Sequence, residues 1–200
     1  MLFRSGSGGF GAVSADKMNV FYIGVDNPIT IVAAGVATSK LQSSISGAGG
    51  TFASGTGKTR VVRVTNPGEC KVTISGGDEM PATSFAFRSK RIPDPIAKLG
   101  KDVSGNIGAA SFKAQLGIMA VLENFDFDAR CEIQSFELTK QPKREDPVTK
   151  MNQSGKYDGG CLAMVNSGKA GDTFYFDNVK ARCPGDIAGR KINPLVFKLQ

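Results

Sequence analysis

Residues 17–34 limit what this chain can fold into more than any other stretch. Two short apolar runs rich in β-formers, residues 20–23 (Val-Phe-Tyr-Ile) and 29–32 (Ile-Thr-Ile-Val), are separated by five punctuating residues. Gly24 takes φ > 0 without steric cost. Asn27 precedes Pro28 and is pushed out of the helical region. Asp26 and Asn27 can bond the backbone locally and close a corner. The reading is a strand pair joined by a tight structural turn (Gly24, Asp26, Asn27, Pro28).

The same grammar continues down the chain. Twenty-five glycines, against the ~7% share usual in soluble proteins, stand as short punctuation between apolar runs. Residues 39–58 are rich in Ser and Gly, with Leu41, Ile45 and Phe52 scattered at a spacing that fits short strands. Residues 60–65 and 70–74 read as two strands around the turn Asn66-Pro67-Gly68. In the second, Cys70, Val72 and Ile74 share one face and Lys71 and Thr73 the other. Residues 85–88 alternate again and close a first set of about six short strands, the pattern of a β-sandwich. Arg91-Ile92-Pro93-Asp94-Pro95 follows; two prolines within three residues stiffen the chain and prevent regular pairing. This is the expected boundary, an inter-domain elbow of Arg91, Pro93, Asp94 and Pro95. The expected division is a flexible lead over residues 1–16, a first β-sandwich over 17–90 and a second β-domain over 91–200.

In the second half, residues 109–116 have helix-forming composition, and the apolar run 118–122 is expected to be buried. Residues 124–128 alternate Phe125 and Phe127 with Asp126 and Asp128, rings on one strand face and acids on the other. Cys131 and Ile133 are out of phase with Phe136 and Leu138, so a bulge is expected near Gln134-Ser135. Residues 139–150 read as a polar loop with two prolines. Residues 156–167 hold Tyr157, Leu162, Met164 and Val165, with Gly159-Gly160 breaking the run near its start. Residues 173–176 and 193–199 read as strands about a loop at Pro184-Gly185-Asp186.

Composition excludes several chemistries. The chain has no histidine, so Ser-His and Cys-His nucleophile pairs and His-ligated zinc are ruled out. Net charge is +7, with 9 Lys+Arg against 5 Asp+Glu in residues 1–90 and 16 against 13 in 91–200. An excess spread over both halves, without a basic stripe, argues against a nucleic-acid binder. Gly6, Gly8 and Gly11 satisfy GxGxxG formally, but no strand precedes them and no helix follows. Residues 55–59 (Gly-Thr-Gly-Lys-Thr) lack the first glycine of a phosphate loop, since Phe52 stands there, and lead into a strand; Lys58 reads as a loop lysine. Asp126 and Asp128 read as solvated acids, too few to hold calcium. No catalytic residue, cofactor, metal site or small-molecule substrate is expected.

Four cysteines, at 70, 131, 161 and 183, show no CxxC spacing. Four cysteines permit three complete pairings and the sequence does not choose among them; an oxidising compartment would allow a Cys131–Cys183 bridge if their strands are neighbours, and buried free thiols are the alternative. No signal-peptide core and no run near the ~18 apolar residues of a membrane helix is visible, so the chain as given is expected to be soluble.

Three segments carry a resemblance. "MNVFYIGVDNPITI" (residues 18–31) is similar to the third domain of the GldM/PorM family of the type IX secretion and gliding machinery of Bacteroidota. "FRSKRIPDPIAKLG" (87–100) resembles the junction of that family's third and fourth domains. "GIMAVLENFDFDARCEIQSFEL" (117–138) and the closing segment from residue 167 resemble its C-terminal domain. The resemblance runs in family order from about Met18 to Gln200. It implies a mainly β fold, two tandem immunoglobulin-like β-sandwich domains with one or two short helices in the second. It implies a non-enzymatic periplasmic shaft, working as a homodimer, that touches outer-membrane ring proteins of GldK/GldN (PorK/PorN) type. Coupling to an inner-membrane motor of GldL/PorL type would run through an N-terminal membrane helix and helical domain that this sequence lacks, so a fragment or a truncated relative is expected. A tandem β-sandwich adhesin or carbohydrate-binding module of the cell envelope is the competing expectation, weakened by the absence of tryptophan and the presence of only three tyrosines.

Overall fold

The computed structural model describes residues 10–15, 19–55 and 57–200. The chain divides into two compact units, Met1–Ile92 and Pro93–Gln200. The described residues are mainly β, with two short α-helices, both in the second unit. No helix among the described residues is long and apolar enough to cross a membrane.

The described residues of unit 1 form eight strands: β1 (Phe10–Ala15), β2 (Val20–Tyr22), β3 (Asn27–Ala34), β4 (Gln42–Ser46), β5 (Thr51–Ser54), β6 (Thr59–Arg63), β7 (Gly68–Ser75) and β8 (Thr83–Lys90). They form two four-stranded sheets, β1-β3-β6-β5 and β2-β8-β7-β4. All pairs are antiparallel except β2–β8. Between the sheets lie the inward residues of each period-2 alternation, among them Phe21, Ile29, Ile31, Val62, Val72 and Ile74 at 0% exposure. Phe21 stacks on Phe87 with ring centroids 4.6 Å apart. Cys70, Val72 and Ile74 face this core and Lys71 faces out, as their alternation requires.

Two expectations are corrected here. Residues 10–15 are not part of a flexible lead: they form β1, paired with β3 from Phe10↔Ala34 to Ala15↔Ile29, with Val13 buried. Glycine and alanine dilute the apolar alternation there, so the strand is held by its neighbour and not by local propensity. The rest of the lead, the glycine pattern at Gly6 and Gly8 included, lies outside the described residues. The two runs around Asn27, in turn, do not pair with each other. β2 belongs to one sheet and β3 to the other, so the corner arches across the sandwich. The strands about Asn66-Pro67-Gly68 are divided in the same way, β6 in one sheet and β7 in the other.

Unit 2 continues with β9 (Ile96–Lys98), β10 (Ser104–Ile107), α1 (Ala109–Ala114), β11 (Met119–Val121), β12 (Glu132–Gln141), β13 (Val148–Asn152), α2 (Gly159–Asn166), β14 (Thr173–Arg182), β15 (Arg190–Lys191) and β16 (Leu195–Leu199). Its main sheet runs β10-β16-β14-β12-β13, with β15 also on β14; β9 and β11 form a separate two-stranded ribbon. Sheet, ribbon and both helices share one core. Phe112 of α1 is fully buried against Phe174, with centroids 4.6 Å apart, and lies near Phe176 and Phe197. α2 begins at Gly159-Gly160 because Asp158 caps it, its carboxylate accepting from the Cys161 N–H at 2.8 Å.

The register of β12 on β14 shifts between Ile133 and Ser135 and again between Ser135 and Glu137. This is the bulge that brings both Ile133 and Phe136 to the core. Other local expectations are corrected. Residues 139–141 and 148–150 extend β12 and β13, which pair through Thr139↔Thr149, so only residues 142–147 form the loop. Of the apolar run 118–122 only Ile118 is buried, and Met119 is 55% exposed. β11 sits in a two-stranded ribbon, which cannot cover both its faces. Residues 124–128 form no strand; Asn124 takes φ +53°, and Phe125 and Phe127 stack on each other at 4.9 Å.

Candidate functional site

The corner at Gly24–Pro28 is organised by one buried amide. Asn27 is 2% exposed. Its Nδ2 donates to the carbonyls of Tyr22 (3.0 Å), Val25 (3.1 Å) and Val62 (3.1 Å), and its Oδ1 accepts from the Tyr22 N–H at 2.8 Å. Tyr22 belongs to one sheet and Val62 to the other, so a single side chain ties the two layers together. Gly24 supplies the left-handed residue, φ +88°. Pro28 lies one position before β1 begins pairing at Ile29, so on that edge its missing donor costs no ladder bond. Asp26 bonds Arg63 at 2.6 Å on the surface, and this hydrogen bond holds its carboxyl below the usual range.

Asn27→Ala is expected to destabilise unit 1 by about 2–4 kcal/mol, because it leaves a buried N–H and several carbonyls without partners. Chemical denaturation of the variant checks this. A loss below about 1 kcal/mol would mean that water replaces the amide.

At the start of unit 2, Pro95 is buried while Pro93 and Asp94 are exposed; Arg91 is exposed in the last residues of unit 1. Asp94 accepts from Arg190 Nη1 at 3.0 Å. Arg190, only 8% exposed along its side chain, also donates Nε to Asp186 Oδ2 (2.7 Å) and Nη2 to Asp186 Oδ1 (2.8 Å). Asp186 Oδ2 further accepts from the Cys183 N–H at 2.9 Å. The Asp186 hydrogen bond shifts the Arg190 guanidinium still further toward its charged form. Cys183 is bonded to Cys131. Asp94, the Arg190–Asp186 ion pair, the loop and the disulfide thus form one connected clamp. The sequence named Asp94, Cys131 and Cys183, gave Asp186 only a place in a loop and missed Arg190; no signal in residues 184–190 points 96 positions back to Asp94.

The remaining cysteines, Cys70 and Cys161, are free and buried. Burial pushes the Cys161 thiol up to about 11, with help from Asp158, and raises that of Cys70. Both therefore stay in the unreactive thiol form. Asp126 and Asp128 stand exposed outside any strand. Among the described residues no group of three or more acids or cysteines could hold a metal ion. The chemistry these features support is mechanical: cross-bracing of strands and anchoring of a domain's first residues.

Comparison with known proteins is specific at the level of family. The model of the GldM third domain matches residues 11–90, and the model of the GldM C-terminal domain matches residues 93–200. A search of curated proteins finds no match. Among solved structures, the chain is similar to three N-terminal domains of the Highly Immunogenic Outer Capsid protein of bacteriophage RB49, at 11% identity and TM-score 0.31, covering 96% of this chain and 70% of that one. It is also similar to human protocadherin-24 EC1-2 (11% identity, TM-score 0.31, 95% and 97% covered) and to Yersinia pseudotuberculosis InvD (11%, 0.31, 100% and 70%). With both units matched in tandem and in order, the chain belongs to the GldM family and is a component of the gliding motility and type IX secretion machinery.

Proposed function

We propose that this chain is a non-enzymatic, load-bearing part of a periplasmic shaft. In this reading it works as a homodimer, couples to a GldL/PorL-type inner-membrane motor through more N-terminal parts, and touches an outer-membrane ring of GldK/GldN (PorK/PorN) type. The tandem family match over residues 11–90 and 93–200 carries the proposal. The bracing fits a load-bearing role. Asn27 joins two sheets, and the Asp94–Arg190–Asp186 clamp ties the first residues of unit 2 to a disulfide-bonded corner. Residues 91–95 act as the elbow that transmits load from one module to the next.

Light scattering on the purified chain, with a binding assay against ring proteins, tests the reading. The expected result is a dimer or a complex with a ring protein. A strict monomer without affinity for either ring protein would overturn it.

A further inference from the structure

The loop 183–189, between β14 and β15, is fastened at every side around a tip that the core does not use. Its first residue, Cys183, is bonded to Cys131. The Asp186 N–H donates to the Cys183 carbonyl at 3.0 Å, and Arg182 Nε donates to the Asp186 carbonyl at 3.2 Å. The Asp186 carboxylate accepts from the Cys183 N–H and from Arg190 Nε and Nη2. Gly189 is seated against β12, where a Cβ would stand 2.4 Å from Gln134 Oε1. Yet the tip that these bonds hold, Ile187-Ala188-Gly189, is exposed throughout, and Ile187 is 97% exposed.

A single exposed aliphatic residue is ordinary on a protein surface. Ile187 differs in being held. Fixing a loop costs conformational entropy, and burial of Ile187 within this chain offsets none of it. A fixed tip offsets it on binding, because a loop already ordered loses little freedom when its side chain enters a pocket. A fluid bilayer takes a mobile tip as readily as a rigid one, so rigidity points to a protein pocket of set shape.

Charge narrows the occupant. Lys180 of β14 lies directly opposite Lys191 of β15, beside the loop. Both are exposed, and neither has an ion-pair partner among the described residues. Like charges so placed destabilise a strand pair. Arg182 shares the face of Lys180 but has Glu132 opposite it, so the uncompensated charge is the lysine pair. A symmetric contact of two copies around Ile187 would bring both lysine pairs together. A head-to-tail contact needs an apolar pocket with an acidic rim. Of this chain's grooves around Phe125, Arg88, Leu116 and Glu145, none is lined by more acids than bases.

We infer that the loop 183–189 is a docking knob for a different protein. Ile187 enters an apolar pocket there, and carboxylates on the rim of that pocket meet Lys180 and Lys191. The inference rests on the shaft reading, in which that protein belongs to the outer-membrane ring, and it names the surface of unit 2 that makes the contact.

The test measures binding of the full chain to purified ring proteins of GldK/PorK and GldN/PorN type by titration calorimetry, beside three variants. Ile187→Ser should weaken binding about tenfold or more, the loss of one buried aliphatic side chain, with an unchanged melting midpoint. Lys180→Glu sets an acid opposite Lys191. It should weaken binding about tenfold and remove its sensitivity to salt, while the midpoint holds or rises. Val148→Ser changes another exposed apolar residue, paired with Lys140 at the far end of β12, and should bind as the wild type does. A wild-type chain that binds neither ring protein overturns the shaft reading and this inference with it. Wild-type binding that ignores both Ile187→Ser and Lys180→Glu overturns the inference alone. Spectra of the ¹⁵N-labelled free chain overturn it in three further ways. Amides of residues 184–189 that move with protein concentration make a second copy the occupant. Amides there that move with phosphatidylglycerol vesicles make it a membrane, and distant amides that move on Ile187→Ser make it this chain itself.

Discussion

Replacing Cys131 and Cys183 by serine is expected to lower the melting midpoint of unit 2 on the order of 15 °C and to leave that of unit 1 in place. The two cysteines flank a paired position: Cys131 directly precedes Glu132, Cys183 directly follows Arg182, and Glu132 lies opposite Arg182 across β12 and β14. The bond therefore adds a covalent rung at the end of an existing ladder. It closes a loop with a sequence separation of 52 that contains β12, β13, α2 and β14. In the chain-entropy description such a loop removes about 4 kcal/mol of disorder from the unfolded state. For a unit near 100 residues each kcal/mol moves the midpoint by roughly 4–8 °C, so even a partial effect is large. Calorimetry of the wild type with and without reductant, beside the double serine variant, measures it. Unchanged midpoints, with reduction confirmed by thiol counting, would show that the corner is held by its non-covalent contacts alone.

Arg190→Ala is expected to cost about 3–5 kcal/mol, because it strands a buried carboxylate. The Asp186 side chain is 1% exposed, and two of its hydrogen bonds come from Arg190. The Cys183 N–H also donates to this carboxylate, but a neutral donor cannot balance its charge. The Asp94 end of the clamp behaves differently. Its side chain is 75% exposed, so Asp94→Ala should cost no more than about 1 kcal/mol, as for other exposed ion pairs. Adding Asp186→Asn to Arg190→Ala removes the unpaired charge and should recover part of the loss. Urea denaturation of the three variants separates these terms. Equal losses for Asp94→Ala and Arg190→Ala would mean that the Asp94 link, and not the buried Asp186 pair, carries the clamp.

The two experiments bear on the shaft reading in a graded way. Force passed along a chain of modules is limited by the weakest anchored end, and in unit 2 the first residues are fastened through Arg190. A weakened clamp should therefore impair gliding and secretion before the family's fold is lost.

What the sequence determined by itself was local. Period-2 alternation placed Cys70, Val72 and Ile74 on a buried face, and the broken phase between Ile133 and Phe136 announced a bulge that the β12–β14 register contains. Gly24, Asn27 and Pro28 announced a corner, because the backbone preferences of those residues act without help from distant chain. Only the tertiary structure decided who neighbours whom. Alternation gives a strand its face but not its sheet, so β2 and β3 read as a pair although they lie in opposite layers. The weak run Phe10–Ala15 becomes a strand because β3 offers it an edge. The apolar run after Gly117 is only partly buried because β11 lies in a two-stranded ribbon with β9. Asn27 reaching Val62, and Arg190 reaching Asp94, join residues that are 35 and 96 positions apart. Such contacts depend on how the layers stack, a property of the whole unit that no short window of sequence contains.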